Sequence, residues 1–218
     1  MPSVGSEFVW HMEDVLDLYA EPDPPHSPRV CFDECPYQML DHVREPLPPQ
    51  PGKRKRVDYE YEREGTCNLF LFLEPNLGWR HVEVTKRRTK QDFATAMKDL
   101  VDVHFPRAPN IRVVLDNLNT HTPASLYEAF EPEEARRIAR RLEFHYTPKH
   151  GSWLNMAEIE LSVLARQCLA QRLPSMERLR EVISPWQQGR NAHQVQVQWR
   201  FTTANAREKL HRLYPSTS

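Results

Sequence analysis

Proline placement limits this chain more than any other feature. Ten of the 19 prolines fall within residues 1–51, among them Pro22-Asp23-Pro24-Pro25, Pro28 and Pro46-Leu47-Pro48-Pro49-Gln50-Pro51. Proline fixes φ and donates no backbone hydrogen bond, so these stretches are extended connectors rather than helix interiors or central strands. Two windows remain for regular structure. Between Ser6 and Tyr19, Phe8, Met12, Val15, Leu16 and Tyr19 recur at helical spacing and predict a short acidic amphipathic helix. Followed at once by the Pro-rich break, it reads as a helix hanging on a linker, with residues 1–28 as connector and 29–215 as the folded domain. Arg29–Glu34, a mostly apolar run entered from a proline, has the pattern of a buried strand.

Charge divides at the same place. The 218 residues carry a formal net charge of −1, which taken alone argues against a polyanionic partner. Residues 1–50 hold two basic side chains against ten acidic ones, and residues 51–218 hold 27 basic against 20 acidic. An acidic leader therefore precedes a basic body, and the body is open to nucleic acid. No stretch approaches the roughly 18–20 apolar residues of a membrane span, and no basic segment leads into an apolar signal core. Cys31, Cys35, Cys67 and Cys168 form neither a C-x-x-C pair nor a zinc-finger spacing and read as small buried hydrophobes.

The body alternates strands and helices. Cys67–Leu73 is the most strand-like run, and a turn at Pro75–Gly78 leads to a second strand, Trp79–Val84, giving a hairpin. A helix follows over 90–104, then a buried strand, Ile111–Leu115, ending in Asp116. Helices are expected over 123–142, 153–171, 175–189 and 203–213, with strands at Phe144–Tyr146 and 193–201. This order predicts an α/β fold with a mixed sheet flanked by helices.

Two carboxylates, Asp33 and Asp116, stand at the ends of apolar strands, where α/β sheets open into a crevice. Each alone is equally explained as a cap or turn former. A third, Glu158, falls within the stripe Leu154, Ala157, Leu161, Leu164, Ala165 and Cys168, so it is expected to face inward, with Glu160 on the solvated flank. Three such acids suit hard divalent cations and phosphoryl transfer, or an ordinary ion-pair network.

The surrounding residues narrow this. Val30-Cys31-Phe32-Asp33-Glu34, Val114-Leu115-Asp116-Asn117-Leu118-Asn119-Thr120-His121 and His145-Tyr146-Thr147-Pro148-Lys149-His150-Gly151-Ser152-Trp153-Leu154-Asn155-Met156-Ala157-Glu158 resemble, in order, the three motifs of the DDE transposases. The likeness is to the bacterial insertion-sequence branch of the mariner-like superfamily, whose catalytic domain is ribonuclease-H-like. The intervals of 82 residues from Asp33 to Asp116 and 41 from Asp116 to Glu158 fit that branch.

The resemblance implies DNA cleavage and strand transfer by an Asp33, Asp116, Glu158 triad. The triad would hold Mg²⁺ or Mn²⁺, two ions, with no small-molecule cofactor and no membrane partner. Transposon ends and target DNA are the implied partners, with a second copy or a full-length transposase. The implied location is cytoplasmic, at the bacterial nucleoid. Candidate DNA contacts are Lys53, Arg54, Lys55, Arg56, Arg87, Arg88, Asn117, His121, Lys149 and His150; basic clusters supply sequence-independent affinity, or merely a solvated face. Family members carry helix-turn-helix domains ahead of the core, whereas 32 residues precede Asp33 here. That leaves a second expectation: a non-catalytic remnant that binds DNA or full-length transposase as a regulator.

Overall fold

The apolar run Cys67–Leu73 becomes the buried half of a longer strand, β2 (Tyr61–Glu74). This is seen in a computed structural model that describes residues 5–22, 26–42 and 61–215. β2 lies antiparallel between β3 (Trp79–Thr85) and β1 (Arg29–His42). β4 (Ile111–Leu115) pairs parallel with the other edge of β1, and β5 (Leu142–Tyr146) pairs parallel with β4. The result is the expected mixed α/β sheet, five strands in the order β3-β2-β1-β4-β5. Its helices are α1 (Ser6–Ala20), α2 (Lys90–Asp99), α3 (Ala124–Ala129), α4 (Pro132–Ala139), α5 (Met156–Gln167), α6 (Met176–Ala192) and α7 (Thr203–Lys209). A π-helical turn, Leu100–His104, completes the segment expected as one helix over 90–104.

Strand alternation sorts the core into two layers. Cys31, Leu69, Leu71 and Val114 face α1, α5 and α6. Phe32, Phe70, Phe72, Val113 and Leu115 face α2, α3 and α4.

Three expectations change here. First, α1 does not hang free: Met12, Val15, Leu16 and Leu18 are buried in the core shared by β2 and α5. Its acids dock on the basic body, Glu13 through two 2.8 Å bonds from Arg207, and Arg29 donates to Leu18 O at 2.6 Å across the proline break. The periodicity revealed an apolar stripe but not what it packs against. Second, β1 runs on through Pro36 to His42. It pairs with β4 only at Arg29–Cys31, so beyond that point one edge is open and the missing proline N–H is tolerated. Third, the alternating segment 193–201 is not a strand. Val197 N donates to Pro75 O at 3.1 Å, while Trp199 and Phe201 pack against Trp153, so the apolar residues are satisfied without joining the sheet.

The phase of α5 is also corrected. Its buried residues are Met156, Ala157, Glu160 and Leu164, whereas Glu158 is half-buried. The expected stripe was anchored on Leu154, which lies in a 3₁₀ turn before the helix, and on Ala165, which is exposed. Removing those two rotates the buried face toward Glu160. That carboxylate is wholly buried and held by Arg80 Nε at 2.8 Å and by Arg190 through Nε at 2.7 Å and Nη2 at 3.0 Å. Arg80, also wholly buried, donates to Gly78 O at 2.8 Å. The cluster locks β3, α5 and α6 together. The close approach requires Gly78: at φ +64°, a Cβ there would lie 2.3 Å from the carbonyl carbon of Gln194.

A buried ion cluster gains little net stability but is costly to break, because a lone charge is left behind. Glu160→Ala is therefore expected to lower the unfolding free energy by about 3–5 kcal/mol in urea titration. Glu181→Ala, which removes the exposed partner of Arg178, is expected to change it little.

Candidate active site

The last β1–β4 pair is Cys31 with Val114. Two residues beyond that pair stand Asp33, on the same face of β1 as Cys31 and hence toward α5, and Asp116, directly after the end of β4. Glu158 is in the first turn of α5. What seats that turn is Asn155, 1 % exposed, whose Oδ1 accepts from Ala157 N at 3.1 Å as a helix cap. Its Nδ2 donates to Phe32 O at 2.7 Å, so the start of α5 is tied to the residue preceding Asp33. The approach to α5 is tight: a Cβ on Gly151 would lie 2.5 Å from the Pro148 ring, and His150 takes a left-handed φ of 66°.

Asp33 is pushed up to about 7, first by burial and then by the negative charges of Asp116, Glu158 and Glu34; one N–H, from Glu34 at 2.8 Å, opposes the shift. Asp33 thus lies within electrostatic reach of the other two expected acids, which come from separate elements. Among the described residues, no three His, Cys, Asp or Glu side chains stand close enough to ligate a single ion. What the three acids supply is oxygen donors, the donor chemistry of Mg²⁺ and Mn²⁺ rather than of softer metals. Asp116 is 32 % exposed to solvent.

The candidate DNA contacts separate on inspection. Asn117, Lys149, His150 and Arg87 are exposed. Arg88 is exposed and paired with Glu34 at 3.0 Å. Lys53, Arg54, Lys55 and Arg56 lie outside the described residues. His121 is a correction: it is wholly buried and cannot face DNA. Its Nδ1 bonds the Asp116 carboxylate, and its ring stacks on Phe93 at 4.8 Å. Burial works against its charge, but the Asp116 bond and Glu34 outweigh that and carry the imidazole up to about 9. Away from the site, Arg137 pairs with Glu134 and Asp102.

Sequence reasoning passed over two participants, Asn155 and Glu34. An Asn directly ahead of a helix is itself an N-cap signal, so Asn155 was findable. Glu34 carried no comparable mark, because its importance comes from facing the opposite side of β1 from Asp33.

A family model described as DDE superfamily endonuclease matches residues 28–180, a stretch that contains all three acids. The chain belongs to the DDE superfamily endonucleases. No curated protein matches the sequence. Among solved structures, the endonuclease domain is similar to the Mos1 mariner paired-end complex with Mn, at 15 % identity and TM-score 0.56 over 85 % of this chain. It is similar to a pre-cleavage Mos1 transpososome at 14 % identity and TM-score 0.58 over 96 % of this chain. It also resembles the catalytic domain of Mos1 mariner transposase at 12 % identity and TM-score 0.53, covering 87 % of this chain and 88 % of that one. The fold of the endonuclease domain is accordingly ribonuclease-H-like. It spans 59 % of the chain in the paired-end complex. No helix among the described residues is long and apolar enough to cross a membrane.

Folded Asp33 keeps its proton up to about pH 7, whereas an unfolded aspartate releases it near ~3.9. Between those values the folded state binds more protons than the unfolded one, so stability falls as pH rises through the window. In metal-free buffer the melting temperature of the endonuclease domain is expected to decline from pH 4.5 to 7.5, and Asp33→Asn to flatten that decline.

Proposed function

We propose that the chain is a transposase catalytic domain, of the insertion-sequence branch of the mariner-like superfamily, that cleaves DNA and transfers the cut strand in a metal-dependent reaction. The observation that carries this reading is the convergence of Asp33, Asp116 and Glu158, from β1, the end of β4 and α5, in a member of the DDE endonucleases. The three carboxylates are the residues that would hold Mg²⁺ or Mn²⁺, two ions, against the scissile phosphate. Divalent ions in such a site neutralise phosphate charge and ease deprotonation of the attacking hydroxyl.

The protein's own contribution is placement. β1 and β4 set two of the acids side by side, and the Asn155 cap and its bond to Phe32 O set the third. Asp116 stays open enough for a duplex to approach. Lys149 and His150, exposed in the turn before α5, and Arg87, exposed after β3, are suited to phosphate oxygens and would add sequence-independent affinity. Asn117, next to the second acid, is suited to hydrogen bond the substrate backbone. Lys53, Arg54, Lys55 and Arg56 are candidate phosphate contacts from their sequence alone. DNA is the proposed partner, with a second copy of the chain or a longer transposase completing the assembly.

Nicking of supercoiled DNA and joining of pre-cut ends, each with Mn²⁺ and with chelator, test the reading. The parent chain is expected to act only with the metal, and Asp33→Asn, Asp116→Asn and Glu158→Gln are each expected to fall to the metal-free level while remaining folded. Equal activity of Asp116→Asn and the parent would overturn the catalytic reading. Mn²⁺ binding without turnover on any substrate would favour a regulatory remnant instead.

A further inference from the structure

Backbone pairing between β1 and β4 ends at Cys31 and Val114, before either strand reaches its acid. What ties the strands together beyond that point is a chain of buried side chains. Glu34, whose side chain is 4 % exposed, follows Asp33 and therefore projects from the opposite face of β1. Its Oε1 accepts from Arg88 Nη1 at 3.0 Å. Its Oε2 lies 3.6 Å from His121 Nε2, an ion-pair rather than a hydrogen-bond distance, and among the described residues those two buried atoms have no hydrogen-bond partner. On its other side, His121 Nδ1 bonds Asp116 Oδ1. The imidazole has no freedom to swing. It is stacked on Phe93 and meets Phe32 edge-on at 5.3 Å and 78°. Its backbone N–H donates to Leu118 O at 2.9 Å, and its carbonyl accepts from Tyr146 Oη at 3.0 Å.

We infer that His121 and Glu34 are positioning residues that set the orientation of Asp116 and its spacing from Asp33, reaching from beneath the sheet to the face where the acids meet. His121 occupies one oxygen of Asp116, which leaves the other for a ligand. Glu34 joins that orientation to the strand carrying Asp33, so the relay takes over from the backbone where the register stops. Arg88 holds the outer end of Glu34. This inference rests on the catalytic reading of Asp33, Asp116 and Glu158.

The test is Mn²⁺ binding to the full chain, followed by calorimetry and paired with the Mn²⁺ dependence of nicking and with thermal melts. Removing an outer-shell partner of a metal ligand commonly costs about 10–100-fold in affinity. His121→Ala is expected to weaken Mn²⁺ binding and raise the half-saturating Mn²⁺ concentration by about that factor, with the rate at saturating Mn²⁺ close to the parent's. His121→Asn, whose amide nitrogen takes the place of Nδ1 and can still donate to Asp116, is expected to recover part of the loss. Glu34→Gln is expected to shift in the same direction by less, and these two variants carry the test if His121→Ala does not fold. Unchanged Mn²⁺ affinity in the variants, or a lower melting temperature and rate with the half-saturating concentration unmoved, would overturn the inference. Asp116→Asn separates the two readings. If it abolishes nicking while the His121 and Glu34 variants behave as the parent, only the positioning role fails; if it has no effect, the catalytic reading fails first.

Discussion

Three backbone pairs, Arg29 with Arg112, Val30 with Val113 and Cys31 with Val114, determine whether this sheet has an acidic edge at all. Side chains alternate along a strand, so a slip of one residue in this short register would turn Asp33 away from Asp116 and send Phe32 to the wrong core. The register is protected by the cores on both sides. Phe32 is packed against Phe70, Phe72 and Phe93, and Cys31 shares the other layer with Leu71 and Val114. The register that leads to the acids is thus secured by apolar burial rather than by the acids themselves, whose mutual effect on Asp33 is repulsive.

The third acid depends on a different device. α5 must be anchored without using Glu158, and it is anchored at both of its flanks: Asn155 at the cap, and Glu160 between Arg80 and Arg190. Two glutamates one residue apart therefore have opposite duties. Glu160 is neutralised by two cations and unavailable to a ligand, whereas Glu158 is left half-buried among other acids.

Much of this was legible in the residues, unevenly. Asp33 and Asp116 were readable because apolar strands rarely end in carboxylates without cause, and the motifs around them were specific. Glu158 was reached by two routes, its motif and a helical-stripe argument, and the structure reverses the second. The stripe was phased on Leu154 and Ala165, and neither belongs to the buried face of α5. Periodicity gives a helix's apolar face only once the first helical residue is known, and a 3₁₀ turn ahead of α5 concealed it. The helix α1 was visible and its docking was not, since its partners Arg207 and the β2 core lie far along the chain. His121 was noticed for standing near Asp116, but its burial depends on Phe93, contributed by another helix.

β1 continues without a break from the acidic edge into a two-stranded arm. Past Tyr37 it is paired only with the exposed first part of β2, and the arm is braced where Leu40 N meets Leu173 O at 3.2 Å. The strand end at His42 is nine residues from Asp33, roughly 30 Å of extended chain. A load applied at that end reaches Asp33 along one continuous rod. The ladder shifts register along it at Met39 and Leu40, where the opposing Gly65 sits at φ +105°. The strand that carries Asp33 and the strand that builds the arm are one and the same, so the bulge lies on the covalent path between Asp33 and the end of the arm.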